Sequence, residues 1–384
     1  MAGRYKIWLF GVLAVLVFAP MAQHGLGLYK SRPLDGAVTI APDAQWSMRA
    51  WWNGEYQDAK NKYLNDNMGF RPDLVRLNNE IDNRLFRRLH ANNVVMGRDG
   101  CLYEQGYIDE YTGLEYQKDS IIRRQLIRLR RVQDTLEQLG KTFVFVEAAS
   151  KAYYYPDKFP RGIRNRRYRT ATTYGKHIAL CDSLGIQHID ANAWFASQRG
   201  KDGKDKLFSL TGTHWSLYGS LLVADSLSRY IELRQNILLP SLYIQEMRYS
   251  DVPRYTDDDI ARGLNLLSRP PRETLCYPEY DFMYSNPRTT RPKMIFIGDS
   301  FLWTMADNKY MRSVSEGWEF WYYNSEVWTA KSGDKPYPMD TYDWKTSLQQ
   351  ADVVVAMYGT INLKTFWDQH SFIEMMYTHF YGNQ

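Results

Sequence analysis

The chain has 384 residues, which exceeds one ordinary domain and is enough to build a sizeable hydrophobic core. Its formal net charge of +5 is a mild excess, and no basic tract, zinc motif or RNA-binding motif accompanies it. The composition therefore argues against a nucleic-acid-binding protein. Aromatic residues make up 15% of the chain, which suits either broad core packing or a cleft that faces sugars.

The N-terminus has the pattern of an export signal. Arg4 and Lys6 precede an apolar run, Ile7–Ala19, which Pro20 interrupts. The run is short for a bilayer span of about 20 residues, yet Pro20 also disfavours a small-x-small cleavage site. We expect residues 1–22 to be a signal peptide or a retained signal anchor, and the pattern favours the anchor. Basic residues before the segment place the body of the protein outside the cytoplasmic membrane.

Helical and extended patterns alternate through the rest of the chain. Residues 23–60 are predicted to be a connector that leads into a domain over 61–384. Apolar residues at three- and four-residue steps predict helices over 61–92, 118–139, 170–184 and 214–232. An Arg-Asp-Gly turn predicts a hairpin over 94–103. Short apolar runs predict buried strands over 142–146, 186–189, 293–297, 318–323 and 351–357. This alternation indicates an α/β fold with a mainly parallel sheet.

Two features stay open at this level. Residues 233–290 are rich in Pro and Tyr and lack a regular period, so an insertion and a lid both fit them. Cys101, Cys181 and Cys276 have no close spacing, which argues against a disulfide framework and against a metal knuckle. One bridge or three buried thiols remain as alternatives.

A Gly-Asp-Ser turn follows the predicted strand 293–297. Because ligands of α/β proteins bind at the carboxyl ends of the strands, Ser300 lies where a site is expected. A histidine, His214, lies where a loop meets a predicted helix. One serine and one histidine held by a sheet indicate acyl transfer, although either motif alone is also common as a packed turn. Asp299 is expected to order the turn through hydrogen bonds rather than to react.

Together these motifs resemble the AlgX/AlgJ family of alginate O-acetyltransferases, whose catalytic domain is SGNH-hydrolase-like. The resemblance covers about residues 60–370. It is carried by five segments in the same order: Asn65–Arg71, Val95–Tyr103, Ala149–Asp157, the Thr213-His214-Trp215 turn and the Gly298-Asp299-Ser300-Phe301 turn. It implies a three-layer sandwich around a mainly parallel sheet, preceded by the N-terminal signal or anchor helix.

The resemblance also implies roles for single residues. Ser300 would be the acyl-accepting nucleophile and His214 its general base. The family usually has Asp-x-His-Trp, whereas this chain has Gly212 at the aspartate position. Another acid at a strand end could replace it, with Asp190 and Glu147 as candidates. A Ser-His dyad could also suffice, or the enzyme could be weak or inactive.

Supporting residues follow from the same resemblance. The Ser300 N–H is the natural first oxyanion donor, and such enzymes add a glycine N–H and an asparagine side chain. Gly359 and Asn362, after the last strand, offer both types. Stacking on sugar rings is expected of three aromatic residues that follow the serine, with core packing as the alternative: Trp303, Trp321 and Tyr322.

The implied activity is that of an extracytoplasmic, membrane-tethered O-acetyltransferase that modifies a secreted or cell-surface polysaccharide. No metal or other cofactor is implied. Since the acetyl group must cross the membrane, the resemblance implies a membrane-bound O-acyltransferase partner that hands it over. Two alternatives stay open: a carbohydrate esterase with the same Ser-His site, and a non-catalytic polysaccharide-binding or assembly component.

Overall fold

The computed structural model describes residues 2–36, 39–163, 168–268, 272–284, 286–333, 335–364 and 371–382. The chain forms two compact units, one of residues 1–92 with 261–270 and one of residues 93–260 with 271–384. Residue 60, the predicted boundary between connector and domain, lies inside the helix Glu55–Asn67 of the first unit.

The elements of the described residues are these. The helices are α1 (Ala2–Leu26), α2 (Met48–Trp52), α3 (Glu55–Asn67), α4 (Arg71–Phe86), α5 (Gln105–Thr112), α6 (Asp119–Gln138), α7 (Lys151–Tyr154), α8 (Thr173–Leu184), α9 (Ala191–Ser197), α10 (Leu217–Gln235), α11 (Asp259–Gly263), α12 (Phe301–Asp307), α13 (Tyr310–Val314), α14 (Trp344–Gln350) and α15 (Phe372–Tyr381). The strands are β1 (Val94–Met96), β2 (Leu102–Glu104), β3 (Thr142–Ala148), β4 (His188–Asp190), β5 (Ser241–Glu246), β6 (Tyr249–Ser250), β7 (Leu275–Cys276), β8 (Glu279–Met283), β9 (Met294–Gly298), β10 (Glu319–Tyr322), β11 (Glu326–Thr329), β12 (Tyr337–Pro338) and β13 (Val353–Gly359).

The second unit is built on a seven-stranded sheet of order β12-β11-β10-β9-β13-β3-β4. Strands β10, β9, β13, β3 and β4 run parallel, and β11 and β12 add an antiparallel edge. The predicted α/β fold with a mainly parallel sheet is therefore confirmed.

Alternate residues of the central strands enter two separate cores. Val144 and Phe296 belong to one core, together with side chains of α10, α12 and α13. Phe145 and Ile297 belong to the other, with side chains of α6, α8 and α15. Since side chains alternate across a strand, near-continuous apolar runs give a sheet covered by helices on both faces. This is the predicted three-layer sandwich.

The predicted helix over 61–92 is interrupted. It divides into α3 and α4 at residues 68–70, where a Cβ on Gly69 would collide with the carbonyl oxygen of Pro20 in α1. Within α1, residues 4–26 are long and apolar enough to cross a membrane by length and composition. The three cysteines are buried free thiols, which decides between the two alternatives left open by the sequence.

In the described part of residues 233–290 there are two small antiparallel pairs, β5 with β8 and β6 with β7. Between β6 and β7 the chain passes beside the histidine turn. This stretch therefore contributes to the candidate site as well as to the surface of the fold.

Candidate active site

The nucleophile turn is formed where β9 ends and α12 begins. A Cβ on Gly298 would collide with the carbonyl oxygen of Met357 on β13, so only glycine allows the two strands to approach this closely. Ser300, half-buried, precedes the first residue of α12. Its hydroxyl is thereby held at the carboxyl edge of the parallel sheet, as the sequence predicted.

Asp299 is fully buried beneath this turn and orders it. One carboxylate oxygen accepts the Phe301 N–H at 3.0 Å. The other accepts the Gly359 N–H and the Asn362 amide, both at 2.7 Å. Burial raises the pKa of Asp299, while these three hydrogen bonds act in the opposite direction. The carboxylate thus ties the nucleophile turn to the turn that follows β13.

The histidine turn is anchored to the same helix. Trp215 is buried, and its indole N–H donates to Thr304 Oγ1 at 2.6 Å on α12. The His214 ring packs edge-on against Phe301, with 4.8 Å between ring centroids. These contacts place His214 Nε2 at 2.8 Å from Ser300 Oγ, within the range required of a nucleophile and its general base.

The other side of the imidazole is occupied by Asp259. Its Oδ2 lies 2.7 Å from His214 Nδ1. Its Oδ1 accepts the N–H groups of Thr213 at 2.8 Å and Ile260 at 2.7 Å. These three contacts hold the carboxylate beside Nδ1. Because a carboxylate only accepts hydrogen bonds, Nδ1 carries the ring proton, and Nε2 is left to accept the hydroxyl proton of Ser300. The arrangement is that of a Ser-His-Asp triad, recognised by geometry rather than by sequence order.

Gly212 explains why the acid comes from this loop. A Cβ at residue 212 would collide with the carbonyl oxygen of Thr256 and would lie 2.8 Å from the carbonyl carbon of Asp257. Ser209 Oγ and Thr211 Oγ1 donate to the Asp257 carbonyl oxygen at 2.5 and 3.0 Å. The loop that carries Asp259 therefore lies directly on the histidine turn. Its backbone fills the space that a side chain at residue 212 would need.

Electrostatics in the site favour proton transfer to the imidazole. Burial opposes charge on His214, but the hydrogen bond to Asp259 and the charges of Asp259, Asp299 and Glu104 raise its pKa. Burial likewise opposes charge on Asp259, but the hydrogen bond and the charge of His214 lower its pKa below the usual range. The pair thus combines an ionised carboxylate with an imidazole that can take up a proton.

The two acids expected at strand ends lie elsewhere. Asp190 caps α9 by accepting the Ala193 N–H at 2.8 Å, and it accepts the Tyr174 hydroxyl at 2.8 Å. Glu147 is fully buried and pairs with Asp190 in the register of β3 and β4. The expectation that Asp190 or Glu147 orients the histidine is corrected by the structure, in which Asp259 holds that place.

The predicted oxyanion donors are also used differently. Gly359 has a single N–H, and it donates to Asp299. The Asn362 amide donates to the same carboxylate and to the Tyr323 hydroxyl at 3.4 Å. Gly359 is therefore a supporting residue of the nucleophile turn. The role of the Ser300 N–H as the first oxyanion donor stays a prediction.

The three aromatic candidates separate into two environments. Trp303 is half-buried, and its ring centroid lies 5.7 Å from that of Tyr322, which is also half-buried. Trp321 is completely buried, and its indole N–H donates to Glu319 at 2.8 Å. Because neighbouring residues of a strand face opposite sides of the sheet, Trp321 and Tyr322 enter different cores. A sugar cannot stack on Trp321, and that expectation is corrected.

Comparison with known proteins bears on these observations. Residues 94–254 match the family described as "SGNH hydrolase-like domain, acetyltransferase AlgX". The matched range includes His214 and ends before Asp259 and Ser300. No curated protein matches the chain.

Solved structures of three proteins are similar in part. The O-acetyltransferase domain of Pseudomonas putida AlgJ is 17% identical with a TM-score of 0.47, and the alignment covers 75% of this chain and 99% of that one. Pseudomonas aeruginosa AlgX is 12% identical with a TM-score of 0.47, with 74% and 66% covered. Bacillus cereus PatB1 is 12% identical with a TM-score of 0.42, with 64% and 92% covered.

Proposed function

With residues 94–254 carrying the SGNH hydrolase-like domain of the AlgX acetyltransferase family, we propose that the chain is an O-acetyltransferase of a secreted or cell-surface polysaccharide. The observation that carries the proposal is the continuous hydrogen-bonded chain Ser300–His214–Asp259 at the carboxyl edge of the sheet. It supplies a nucleophile, a base and an orienting acid in one place.

In the first half-reaction, His214 Nε2 removes the Ser300 hydroxyl proton while Oγ attacks the acetyl carbonyl of the donor. The negative charge on the tetrahedral intermediate lies toward the Ser300 N–H. The intermediate then collapses, the imidazolium returns its proton to the leaving group, and acetyl-serine remains. Throughout, Asp259 fixes the imidazole tautomer and stabilises the imidazolium.

In the second half-reaction, a sugar hydroxyl takes the place of the leaving group. His214 removes its proton, the hydroxyl oxygen attacks the acetyl carbonyl, and the ester bond to Ser300 breaks. The proton returns to Ser300 Oγ, so that the free enzyme is regenerated. Trp303 and Tyr322 would contribute a face for the sugar ring.

The non-catalytic alternative depended on the missing carboxylate at residue 212. Asp259 at 2.7 Å from the imidazole supports catalysis instead. Water in place of the sugar hydroxyl would make the same site a carbohydrate esterase, and the experiment below separates the two reactions.

The proposal extends to location and supply. The apolar helix over residues 4–26 would anchor the protein in the cytoplasmic membrane with its body on the extracytoplasmic side. Activated acetyl groups would then reach Ser300 from a membrane-bound O-acyltransferase partner, since the donor must cross the bilayer.

The test uses the full chain in detergent with 4-nitrophenyl acetate, with and without an acceptor oligosaccharide. Ser300→Ala is compared with Ser197→Ala, which removes an exposed serine at the end of α9. Acetyl transfer to the sugar that is lost only in Ser300→Ala is the expected result. Free acetate as the sole product would assign an esterase. Equal rates in both variants would overturn the role of Ser300.

A further inference from the structure

Helix α4 is inverted relative to an ordinary surface helix. Its buried residues are polar or charged, and they are Arg76, Asn79 and Glu80. Four of its aliphatic residues are exposed at three- and four-residue steps, whereas Val75 is half-buried: Leu74 at 43%, Leu77 at 46%, Ile81 at 45% and Leu85 at 71%. An amphipathic helix of a soluble protein buries its apolar stripe, so this stripe has no partner within the described part of the chain.

The polar face of α4 cannot be rotated outward without breaking the hydrogen bonds that its buried side chains make. The Arg76 guanidinium donates to both carbonyl oxygens of residues 32–33, at 2.8 and 2.6 Å. Asn79 donates to the Leu264 carbonyl oxygen at 3.0 Å. Glu80 accepts the N–H groups of residues 267–268 at 3.1 and 2.9 Å. If the helix turned, each of these three side chains would leave its buried polar partner without a hydrogen bond. The fold therefore holds the apolar stripe outward.

The position of α4 in its unit indicates what covers the stripe. The helix begins two residues after Gly69, whose backbone lies against the carbonyl oxygen of Pro20 and the side chain of Gln23 near the end of α1. The next residue, Phe70, packs against Tyr29 with 6.1 Å between ring centroids. The stripe therefore starts where the candidate membrane-spanning helix ends.

Charge at the far end of the helix is consistent with that position. Phe86 is 62% exposed, and it is followed by the exposed residues Arg87 and Arg88. A helix with an apolar face and flanking arginines is the type that lies in the bilayer interface, where arginines meet anionic head groups.

We propose that α4 lies on an anionic bilayer surface with the stripe of Leu74, Leu77, Ile81 and Leu85 inserted among the acyl chains. The inference rests on the proposed membrane anchor. It gives the first unit a second membrane contact beside α1, and it fixes the height of that unit above the bilayer.

The test uses the full chain reconstituted in phosphatidylethanolamine–phosphatidylglycerol vesicles. Single Leu77→Cys, Ile81→Cys and Leu85→Cys variants are labelled with an environment-sensitive nitrobenzoxadiazole dye. The label goes to the introduced cysteine because the three native cysteines are buried. Leu233→Cys supplies the matched control, because Leu233 is an exposed leucine (84%) on another helix, α10. Quenching by spin-labelled lipids reports contact with the acyl chains.

The expected result is quenching at residues 77, 81 and 85 at least threefold stronger than at residue 233. Replacing phosphatidylglycerol by phosphatidylcholine should weaken quenching most at residue 85, nearest the arginines. Stripe labels no more quenched than the control would overturn the proposal, provided that the protein resists a carbonate wash. Release by the wash would instead overturn the anchor. If the stripe cysteines were protected from labelling in native membranes but not in lipid vesicles, the stripe would be assigned to a protein partner, and the proposal would also be overturned.

Discussion

Replacement of Asp259 by asparagine tests the site most directly. Asparagine keeps the size of the side chain, and its oxygen can still accept the N–H groups of Thr213 and Ile260. Its amide nitrogen would then face His214 Nδ1 and donate to it. The imidazole proton would have to move to Nε2, which lies 2.8 Å from Ser300 Oγ. The ring could no longer accept the serine proton.

The size of the effect follows from that tautomer change. In a Ser-His-Asp triad, exchange of the acid for its amide lowers kcat by about 10⁴-fold. At 1.36 kcal/mol for each factor of ten, this is about 5.4 kcal/mol of lost transition-state stabilisation. We expect a loss of that order for Asp259→Asn, with little change in thermal stability.

The assay is serine-dependent acetyl transfer at saturating donor, with thermal unfolding measured in parallel. Asp190→Asn is the matched control, since asparagine caps a helix as well as aspartate does and Asp190, the last residue of β4, caps α9. Its activity should stay within about twofold of wild type. The assignment of the acid would be refuted if Asp259→Asn kept more than about one tenth of wild-type kcat. It would also be refuted if Asp190→Asn lost as much activity as Asp259→Asn.

Four further outcomes are expected. Gly212→Ala should lower kcat by at least about tenfold, because its Cβ collides with the loop that carries the acid; wild-type kinetics would contradict the close packing. The acid limb of kcat/KM should lie above pH 6.5, because the pKa of His214 is raised and only the neutral imidazole accepts a proton; a limb below that value would contradict the raised pKa. Trp321→Ala should cost about 3–5 kcal/mol of unfolding free energy in denaturant titrations, whereas Trp303→Ala should chiefly raise KM for the oligosaccharide; the reverse pattern would exchange their roles. Burial raises the pKa of Glu147, so the folded state keeps a proton that the unfolded state releases above about pH 4.5. The free energy of unfolding should therefore fall as the pH rises from about 4.5 toward the raised pKa. Glu147→Gln should flatten this fall above about pH 4.5 in thermal unfolding, and parallel profiles would place the proton elsewhere.

The fold was predictable because its strands are buried on both faces. Runs such as residues 142–146 and 351–357 are apolar at almost every position, as a covered parallel strand requires, and β3 and β13 are found there. Pro72, in the first turn of α4, is a sequence signal for the start of that helix, whereas the close approach of Gly69 to α1 could not be predicted. Such an approach leaves no periodic signal in the sequence.

Within the site, local motifs were informative and long-range contacts were not. Ser300 and His214 each lie in a turn whose shape follows from neighbouring residues. Asp259 lies 45 residues after His214 in a segment without a regular period, and its one signal is the acidic run Asp257–Asp259. The role of Trp321 was missed because adjacent aromatic residues of a strand enter opposite cores, and composition cannot tell which face a ring occupies.

The three cysteines carry a consequence for the folding environment. Each thiol is buried and unbridged, so no covalent cross-link contributes to the stability of this chain. The reduction potential of the surroundings should therefore leave the native state unchanged, and dithiothreitol should not alter its melting temperature. A protein proposed to work in an oxidising compartment can thus be produced in the reducing cytosol without an oxidase or an isomerase.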